Sequence, residues 1–408
     1  MSKLDELIRG LCPEGVEYKK LGEIATISRG GNFQKKDFLT EGVPCIHYGQ
    51  IYTKYGLFTD KTFTFISEEC AKKQKMAQPN DIVMAVTSEN IEDVCKCLAW
   101  LGDEPAAISG HSAIIHHNQN AKYLVYYFHS QMFFAQKRKL AHGTKVIEVT
   151  PDALVDITLP LPPIEVQREI VRILDNFTNL TAELTAELTA RKTQYNYYRD
   201  YLLSYKDNVK KYTIAELADT NIGLATSVTQ HKRNSGVVLI HNSDIQPNKV
   251  VLKSIEYVSE EFADKNKKKV LRKGDIITVH TGDVGTSAVI DDEFDGAIGF
   301  TTITTRIRDR KKITPEYLCH YLNSRQCKRD IERVTISDRN NLNQKNYEKL
   351  TVPVPPLDVQ NRIVNVLDNF EKICSDLNIG LPAEIEARQK QYEYYRDKLL
   401  TFKEVAAT

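Results

Sequence analysis

Polar side chains suited to contacts with DNA occur in short clusters along the sequence. Arg pairs with guanine, and Asn or Gln with adenine, through two hydrogen bonds in the major groove, while Lys mainly contacts phosphate. Candidates in the first half of the chain are Asn32, Gln34, Lys35, Lys36, His47, Tyr48, Lys54, His142 and Lys145. Candidates in the second half are Gln230, His231, Lys232, Arg233, His241, Asn242, Arg339, Asn340, Asn341, Gln344 and Lys345. One cluster alone is more typical of a solvated loop, but clusters in both halves favour two DNA-binding surfaces.

Motifs of catalysis and of metal binding are missing from the sequence. It contains no GxGxxG, GxxxxGKS/T, HExxH or GxSxG motif, and no Cys/His cluster with the spacing of metal ligands. The (N/D)PP(Y/F) motif, with which amino-methyltransferases grip a flipped-out adenine, is absent as well. The sequence therefore predicts no catalytic residue, no metal ligand and no cofactor bound by this chain.

The composition is that of a folded globular protein. The chain has 408 residues, of which 27% are charged and 41% hydrophobic, and its formal net charge is +1. At about 150 residues per domain, this length suggests two or three domains. No apolar run approaches the roughly 20 residues that span a bilayer, and Asp5, Glu6 and Arg9 interrupt any signal-peptide core. Eight cysteines without a CxxC pair are typical of reduced thiols, so we expect a cytoplasmic protein without membrane contact.

An internal duplication organises the chain. One copy begins at Leu159 and reads LPLPPIEVQREIVRILDNF, and the second begins 193 residues later, at Val352, and reads VPVPPLDVQNRIVNVLDNF. Further on, Gln194 begins QYNYYRD and Gln391 begins QYEYYRD. The duplication predicts two variable modules, each followed by a conserved segment. The predicted segments are a first module at 1–158, a conserved segment at 159–207, a second module at 208–351 and a conserved segment at 352–408.

Both conserved segments have the pattern of coiled-coil helices. In the first, positions spaced alternately by four and three residues from Ile170 to Tyr205 are apolar or aromatic at nine of eleven places. Such a heptad seam is a strong sign of a coiled coil. The second segment keeps the seam but has an extra step of four at Gly380-Leu381-Pro382. Because proline breaks or kinks a helix, we expect the second helix to be interrupted near Pro382.

The order of the segments constrains how these helices pair. The first module enters the N-terminus of the first helix, while the second module follows its C-terminus and leads into the second helix. Paired helices must therefore run antiparallel, with the modules at opposite ends of a rod roughly 60 Å long. A tandem TAEL repeat from Thr181 to Leu188 lies in this rod, and each copy adds about 6 Å of helix. We expect two binding modules held apart at a set distance.

The combined motifs resemble those of one protein family. The duplication, the PLPPxxxQ entry followed by LDNF, the TAEL tandem and the closing QYxYYRD are similar to the DNA specificity subunit of type I restriction–modification enzymes, most of all to the type IC group with TAEL repeats. The resemblance covers the whole chain and is strongest in the conserved segments. It implies a mixed α/β (α+β) fold, in which two target recognition domains are separated by two long antiparallel coiled-coil helices with an internal pseudo-twofold axis.

The same resemblance implies a function without catalysis by this chain. Each target recognition domain would read one half of an asymmetric bipartite site in double-stranded DNA, and the helices would set the spacer. Two methylation subunits, which carry S-adenosylmethionine and methylate adenine, would dock on the outer faces of the helices, and restriction subunits that use ATP would join them. The residues expected on these docking faces are Tyr197, Arg199, Tyr394 and Arg396.

Two other functions compete with this interpretation. A coiled-coil scaffold that holds two protein-binding modules would share the architecture without reading DNA, although the polar loops argue against it. A fused methyltransferase–nuclease would need a methyl-donor loop, which the sequence lacks. Loss of salt-dependent DNA binding when Arg339 and Lys345 are both replaced by Ala would weigh against the scaffold.

Overall fold

The protein forms two compact units. Its structure is a computed structural model that describes residues 2–205, 209–225, 228–335, 341–375 and 380–405. The first unit comprises Met1–Leu184 with Ile385–Thr408, and the second comprises Thr185–Glu384. Each unit therefore combines one variable module with a part of each conserved segment. The four segment boundaries stay predictions, because the units divide both conserved segments.

The first module consists of short strands and helices. Its strands are β1 (Tyr18–Lys20), β2 (Ala25–Arg29), β3 (Val43–Ile46), β4 (Phe58–Thr59), β5 (Thr64–Ile66), β6 (Lys75–Ala77), β7 (Ile82–Ala85), β8 (Thr87–Ser88), β9 (Cys97–Trp100), β10 (Ala106–Ile108), β11 (Ser112–His117), β12 (Ile147–Glu148) and β13 (Thr158–Pro160). Its helices are α1 (Lys3–Leu11), α2 (Leu21–Ile24), α3 (Tyr48–Thr53), α4 (Glu68–Ala71), α5 (Ala121–Phe128), α6 (Gln131–Leu140) and α7 (Pro151–Leu154). One sheet has the strand order β2-β11-β7-β9-β4, and another has the order β5-β3-β10-β6.

Strand β7 lies between two cores of the first module. All of its side chains are buried. Because successive strand side chains point to opposite faces, Ile82 and Met84 pack into one core and Val83 and Ala85 into another. The first core also contains residues of α5 and of the first conserved segment. The second core contains residues of β3, β6 and β10, so it joins the two sheets.

The second module repeats this arrangement. Its strands are β14 (Lys211–Thr213), β15 (Ala218–Ile222), β16 (Lys232–Arg233), β17 (Val237–His241), β18 (Ile245–Gln246), β19 (Lys249–Val250), β20 (Tyr257–Val258), β21 (Ile276–Val279), β22 (Ser287–Val289), β23 (Ile298–Phe300), β24 (Thr302–Ile307) and β25 (Thr351–Pro353). Its helices are α9 (Ile214–Leu217), α10 (Glu260–Lys265), α11 (Pro315–Leu322), α12 (Arg325–Val334) and α13 (Gln344–Glu348). The helices of the conserved segments are α8 (Ile164–Leu203), α14 (Leu357–Ser375) and α15 (Leu381–Leu399). The sheets have the orders β15-β24-β21-β22 and β16-β20-β17-β23, and β21 again divides its side chains between two cores.

The conserved segments are helical, as their heptad pattern predicts. The first forms α8, and the second forms α14 and α15, between which residues 376–379 lie outside the described residues. No helix in the described part of the chain is both long enough and apolar enough to cross a membrane.

Aromatic contacts show how these helices pair within each unit. In the first unit, Phe177 of α8 stacks on Tyr395 of α15, with ring centroids 5.4 Å apart. In the second unit, Tyr198 of α8 contacts Phe370 of α14 at 5.8 Å. All four residues occupy the predicted heptad seam. In both units an early part of one conserved segment packs against a late part of the other, which is the antiparallel order.

The glutamine of PLPPxxxQ attaches the first module to its conserved helix. Gln167 is 1% exposed, and its amide donates to the Pro162 carbonyl at 2.8 Å. Its side-chain oxygen accepts the backbone N–H of Asn120, the N-cap of α5, at 3.2 Å. The Tyr123 hydroxyl of α5 donates to the Pro160 carbonyl at 2.9 Å. These bonds fix α5 to the turn that precedes α8.

The second unit uses the same attachment. Gln360 is completely buried, and its amide donates to the Pro355 carbonyl at 2.8 Å. Its side-chain oxygen accepts the N–H of Thr314, the N-cap of α11, at 3.0 Å. The Tyr317 hydroxyl donates to the Pro353 carbonyl at 2.9 Å. The motif glutamine therefore has one structural role in both copies.

Candidate DNA interface

The first module contains a cleft of about 550 Å³, called here the first cleft. Tyr48 and Tyr52 of α3 line it together with Thr87, Asn90 and His111. Aromatic rings offer stacking faces for bases, and amide, hydroxyl and imidazole groups bond to base edges. The first cleft therefore offers groups that suit bases, beside two carboxylates, Glu89 and Asp93, and one ammonium, Lys96.

Tyr48 is a predicted DNA-binding residue that lies in the first cleft. Its ring centroid is 4.9 Å from that of His111 and 4.6 Å from that of His47. Its backbone N–H donates to the Ser109 hydroxyl at 2.8 Å. His111 in turn approaches the Thr87 hydroxyl, with 3.1 Å from Nδ1 to Oγ1. Tyr48 is thus held in place while part of its surface stays exposed.

The structure corrects the prediction for His47. This residue is only 8% exposed, and its Nδ1 accepts the N–H of Gly49 at 3.2 Å, which caps α3. Burial lowers the pKa of His47, with smaller contributions from Lys35 and His111, so the ring is neutral near pH 7. A buried neutral ring cannot contact a phosphate as a cation. His47 positions Tyr48 instead.

A loop that carries four predicted residues adjoins the first cleft without lining it. Asn32, Gln34, Lys35 and Lys36 are exposed, and the last two begin a 3-10 turn. Between them Phe33 is buried and lies 6.3 Å from the His47 ring, measured between centroids. The loop is therefore anchored beside the cleft through Phe33, and its polar side chains point to solvent.

Three further candidates of the first module lie outside the first cleft. Lys54 is exposed, and its ammonium lies 5.4 Å from the centre of the Phe63 ring. His142 and Lys145 are exposed in the segment before β12. Val146, which follows them, lines the cleft. His142 and Lys145 are therefore close in sequence to a residue that lines the first cleft.

Sequence reasoning missed Tyr52, Asn90 and His111. Tyr52 follows Tyr48 at a helical spacing of four, and its hydroxyl donates to the Thr87 carbonyl at 2.9 Å. Burial raises the pKa of Tyr52, so its hydroxyl stays protonated. Asn90 is tied to Asp93 by two bonds of 2.8 Å. The tyrosine spacing was a readable signal, whereas Asn90 and His111 reach the cleft only through the pairing of strands.

The second module contains a cleft of about 560 Å³, called here the second cleft. Three of the predicted DNA-binding residues line it, namely Asn341, Gln344 and Lys345. Asn343 and His280 line it as well. Burial lowers the pKa of His280, so its imidazole is neutral near pH 7. The described residues that line this cleft offer amides, an ammonium and an imidazole, and none of them is a tyrosine.

Two predicted amides of the second module are already engaged. The Asn242 amide donates to the Thr281 carbonyl at 2.7 Å, and Thr281 forms a β-bridge with Asn341, so Asn242 supports the cleft wall. The Gln344 amide donates to the Thr220 hydroxyl at 2.8 Å. Lys345 is exposed at the start of α13. The predicted residues Arg339 and Asn340 lie outside the described residues.

The remaining candidates of the second module form a separate group. They are Gln230, His231, Lys232, Arg233 and His241. The Glu256 carboxylate pairs with the Lys232 ammonium at 2.6 Å and with His241 Nε2 at 3.0 Å. These two hydrogen-bonded partners lower the pKa of Glu256, with Lys232 contributing most. Part of the positive charge of this group is therefore balanced within the protein.

Exposed tyrosines occur at equivalent positions of the conserved helices. Tyr197 of α8 is 64% exposed, and Tyr394 of α15 is 61% exposed. Tyr201, one turn after Tyr197, is also 64% exposed, and the two rings are stacked with centroids 6.2 Å apart. Large exposed rings in such a patch are typical of protein-binding surfaces. Their contact with methylation subunits stays a prediction.

The predicted placement of Arg199 and Arg396 on an outer face is wrong. Their side chains are only 13% and 8% exposed. Each guanidinium lies over a seam tyrosine of its own helix, Arg199 over Tyr195 and Arg396 over Tyr392, at 5.6 Å in both cases. Arginine packs its long stem and planar head against aromatic rings, so these residues contribute to the helix seam.

One group of metal-type ligands occurs in the described residues. It consists of His320, Asp368 and Glu371, whose donor atoms lie within 4.8 Å of one another. His320 Nε2 already pairs with Asp368 at 2.8 Å, and its Nδ1 is buried without a hydrogen-bond partner. A metal-bound imidazole normally donates its other N–H. A metal on Nε2 would leave that donor unpaired, so this group is a polar junction between α11 and α14.

Comparison with known proteins assigns the chain to a family. The family model described as type I restriction modification DNA specificity domain matches residues 13–191 and 206–387. The specificity subunit of a type I restriction enzyme from Escherichia coli is 34% identical over 255 residues, which cover 60% of this chain and 61% of that protein. An assigned type I restriction enzyme specificity subunit from Haemophilus influenzae is 29% identical over 98% of both chains.

Solved structures share the fold. The S subunit of a type I restriction–modification system from M. genitalium has a TM-score of 0.53 at 13% identity, over 95% of this chain and 96% of that one. A chain from a study of complex assembly and conformational transition of the type I R-M system has a TM-score of 0.62 at 16% identity, over 96% and 98%. These likenesses confirm the predicted mixed α/β fold. Because the family model matches each half of the sequence in turn, the chain belongs to the type I restriction–modification DNA specificity family.

Proposed function

We propose that this chain is the sequence-specific DNA-binding specificity subunit of a type I restriction–modification complex. Each target recognition domain reads one half of a bipartite site in double-stranded DNA, and the conserved helices set the spacer. The observation that carries the proposal is the duplication of a whole binding device. The family model matches twice, and each unit has its own cleft, of about 550 Å³ in the first and 560 Å³ in the second.

Differences between the clefts support an asymmetric site. The first cleft presents the rings of Tyr48 and Tyr52, which suit stacking and contact with the thymine methyl group. The second presents Asn341, Gln344 and Lys345, which suit adenine edges and phosphates. Two clefts with different chemistry read different base sequences, so the two half-sites are not copies of each other.

Catalysis belongs to partner subunits in this proposal. Two methylation subunits bring S-adenosylmethionine and modify adenine, and restriction subunits bring ATP-dependent cleavage. The Escherichia coli and Haemophilus influenzae relatives are named specificity subunits, and the solved relative with the higher TM-score comes from a study of complex assembly. The equivalent exposed positions Tyr197 and Tyr394 suit two copies of one methylation subunit.

Genome-wide mapping of methylated adenine tests this function. The chain is expressed with its methylation partner in cells and compared with cells that lack the chain. We expect a bipartite motif with a fixed unspecified gap that disappears when the chain is deleted. A methylation pattern that is the same with and without the chain would contradict the proposal and favour the scaffold, which a pull-down for bound proteins would then examine.

The same mapping tests the role of α8 as a spacer. Deletion of one TAEL copy, Thr185–Leu188, shortens this helix by about 6 Å, against about 3.4 Å per base pair of DNA. We expect the gap to shrink by one or two base pairs while both half-sites keep their sequences. A change in either half-site sequence would contradict a pure spacer role.

A further inference from the structure

Each unit has a lysine whose ammonium bonds to a loop of the cleft; Lys137 is 5% exposed, and the side chain of Lys328 is 28% exposed. Lys137 lies on α6, seven residues after its N-cap Ser130, and Lys328 lies on α12, four residues after its N-cap Ser324. The two lysines therefore occupy corresponding helices but different positions along them. Both ammonium groups point to the connection that lines the cleft of their own unit. We call residues 86–96, which join β7 to β9, the first cleft loop, and residues 280–286, which join β21 to β22, the second cleft loop.

Lys137 binds the backbone of the first cleft loop. It is 5% exposed, and its ammonium donates to the Glu92 carbonyl at 2.8 Å and to the Val94 carbonyl at 2.5 Å. The same turn presents Asn90 and Asp93 to the first cleft. Lys137 itself does not line that cleft. It therefore holds the loop without occupying the cleft.

Lys328 does the same for the second cleft loop. Its ammonium donates to the Thr286 hydroxyl at 2.6 Å and to the Val284 carbonyl at 3.2 Å. The Thr286 hydroxyl donates to the Asp283 carboxylate at 2.7 Å, which extends the anchor along the loop. His280, at the start of this loop, lines the second cleft.

The two loops differ in length and sequence, yet both are held by a lysine. An ammonium is a compact donor of three hydrogen bonds on a flexible stem, so it can reach backbone carbonyls at slightly different places. Burying it costs free energy unless those bonds are made, and an aliphatic side chain would fill the space without that cost. At Lys137 the hydrogen bonds, rather than the volume of the side chain, therefore explain the lysine. The side chain of Lys328 is 28% exposed, and its ammonium also lies 4.0 Å from the Asp283 carboxylate of the same loop.

We propose that Lys137 and Lys328 are positioning residues for DNA readout, each of which fixes the loop of its own cleft and sets the specificity of one half-site. Neither lysine needs to touch DNA. Because the loops carry Asn90 in one cleft and His280 in the other, loss of the anchor moves those side chains relative to the bases. This inference rests on the proposed function and adds to it two residues that act separately on the two half-sites.

Motif mapping with full-length variants tests the inference. Lys137→Met and Lys328→Met are each expressed with the methylation partner, and the methylated-adenine motif of each is compared with that of the wild type. We expect Lys137→Met to keep the gap and one half-site, while discrimination at one or more bases of the other half-site falls about tenfold, the scale of one mismatched base pair. Lys328→Met should relax the opposite half-site.

Two further variants separate anchoring from general destabilisation. Lys137→Arg keeps charged donors and should restore most of the discrimination, which a purely space-filling role would not predict. Lys72→Met, at an exposed lysine of the same module, should leave the motif unchanged. If Lys137→Met abolishes methylation, Lys137→Gln replaces it in the test, because its shorter neutral amide weakens the bonds to the loop carbonyls without removing every donor.

The outcomes that overturn the inference are distinct from failure of the proposed function. A wild-type chain that produces no bipartite motif contradicts the proposed function itself. Two results overturn only the anchoring role. In the first, Lys137→Met or its glutamine replacement leaves the wild-type motif unchanged. In the second, the variant loses discrimination at both half-sites together. Relaxation confined to one half-site supports the anchoring role.

Discussion

The two copies of the LDNF motif place an aspartate at the same point of each unit, but the surroundings of the two carboxylates differ. In the first unit, Asp175 accepts a hydrogen bond from the Tyr126 hydroxyl and pairs with the Lys122 ammonium, both at 2.7 Å. The charge of this carboxylate is therefore balanced locally by one lysine. We call this group the first junction.

The second junction is more acidic. Asp368 pairs with His320, and Glu371, one turn further along α14, accepts a hydrogen bond from the Asn248 amide at 2.8 Å. Glu316 stands where the first unit has its lysine, by the register of the repeat. Burial raises the pKa of Glu371, and the neighbouring Asp368 adds to that effect, while Asn248, His320 and Lys249 oppose it.

The difference shows which contacts duplication preserved. Two bonds of the attachment through Gln167 and Gln360 use a backbone carbonyl and a backbone N–H, which any sequence supplies, and these two bonds are the same in both units. The third bond differs, because the Gln167 amide donates to the Gln119 side chain and the Gln360 amide to the Lys312 carbonyl. The junctions use side chains on both sides of the contact. A change of one partner there alters the charge balance of the whole group, and the two copies have diverged to different solutions.

The largest expected effect tests the shared attachment. Gln167→Ala and Gln360→Ala each leave a buried carbonyl and a helix N-cap N–H without partners, which costs about 3 kcal/mol. We expect the two losses to be similar. Urea unfolding of the full chain, with hydrogen exchange of α5 and α11 to assign the loss to a unit, measures them. Gln131→Ala, at an exposed position, serves as the control. A large difference between the free energies lost by Gln167→Ala and by Gln360→Ala would contradict a shared attachment.

An intermediate effect tests the difference between the junctions. Asp175→Ala leaves the Lys122 ammonium without its carboxylate and the Tyr126 hydroxyl with only the Thr178 hydroxyl, at 3.4 Å, so we expect a loss of about 2 kcal/mol in the first unit. Asp368→Ala removes the partner of His320 but also relieves repulsion on Glu371, so we expect about 1 kcal/mol or less. The same unfolding measurement ranks the two variants. Equal losses would show that the junctions are equivalent despite their different charges.

The smallest expected effect concerns pH. Since the pKa of Glu371 is raised in the folded chain, its stabilising contribution is complete below the ordinary carboxyl pKa of about 4.3 and is lost as pH rises through the raised value. Glu371→Gln should therefore be more stable than the wild type at pH 7, by about 1 kcal/mol, and nearly equal to it at pH 4. Urea midpoints at both pH values measure this. A variant that is less stable than the wild type at pH 7 would contradict it.

Several features of the fold were readable from the sequence because they depend on contiguous residues. The seam positions that include Phe177 and Tyr198 predicted a helix, and the structure forms one over Ile164–Leu203. The same spacing predicted a coiled-coil seam, and in the structure Phe177 and Tyr198 contact the other conserved segment from that seam. A heptad pattern is decisive because helix geometry relates positions three and four apart without any tertiary information.

Exposure was the property that sequence reasoning judged least well. His47 and Arg396 were assigned to surfaces because their side chains are polar, yet both are buried. A capping hydrogen bond satisfies the first, and stacking on Tyr392 accommodates the second. Such compensation depends on neighbours that only folding supplies.

The sequence by itself determined the duplication, the helical conserved segments and the family of this protein, since each is recorded in motifs a few residues long. Only the tertiary structure decided which polar residues share a cleft and which charges are buried. His111 reaches Tyr48, and Lys137 reaches the Glu92 carbonyl, across many residues of chain. Strand pairing and helix packing create these contacts, and neither leaves a local pattern in the sequence.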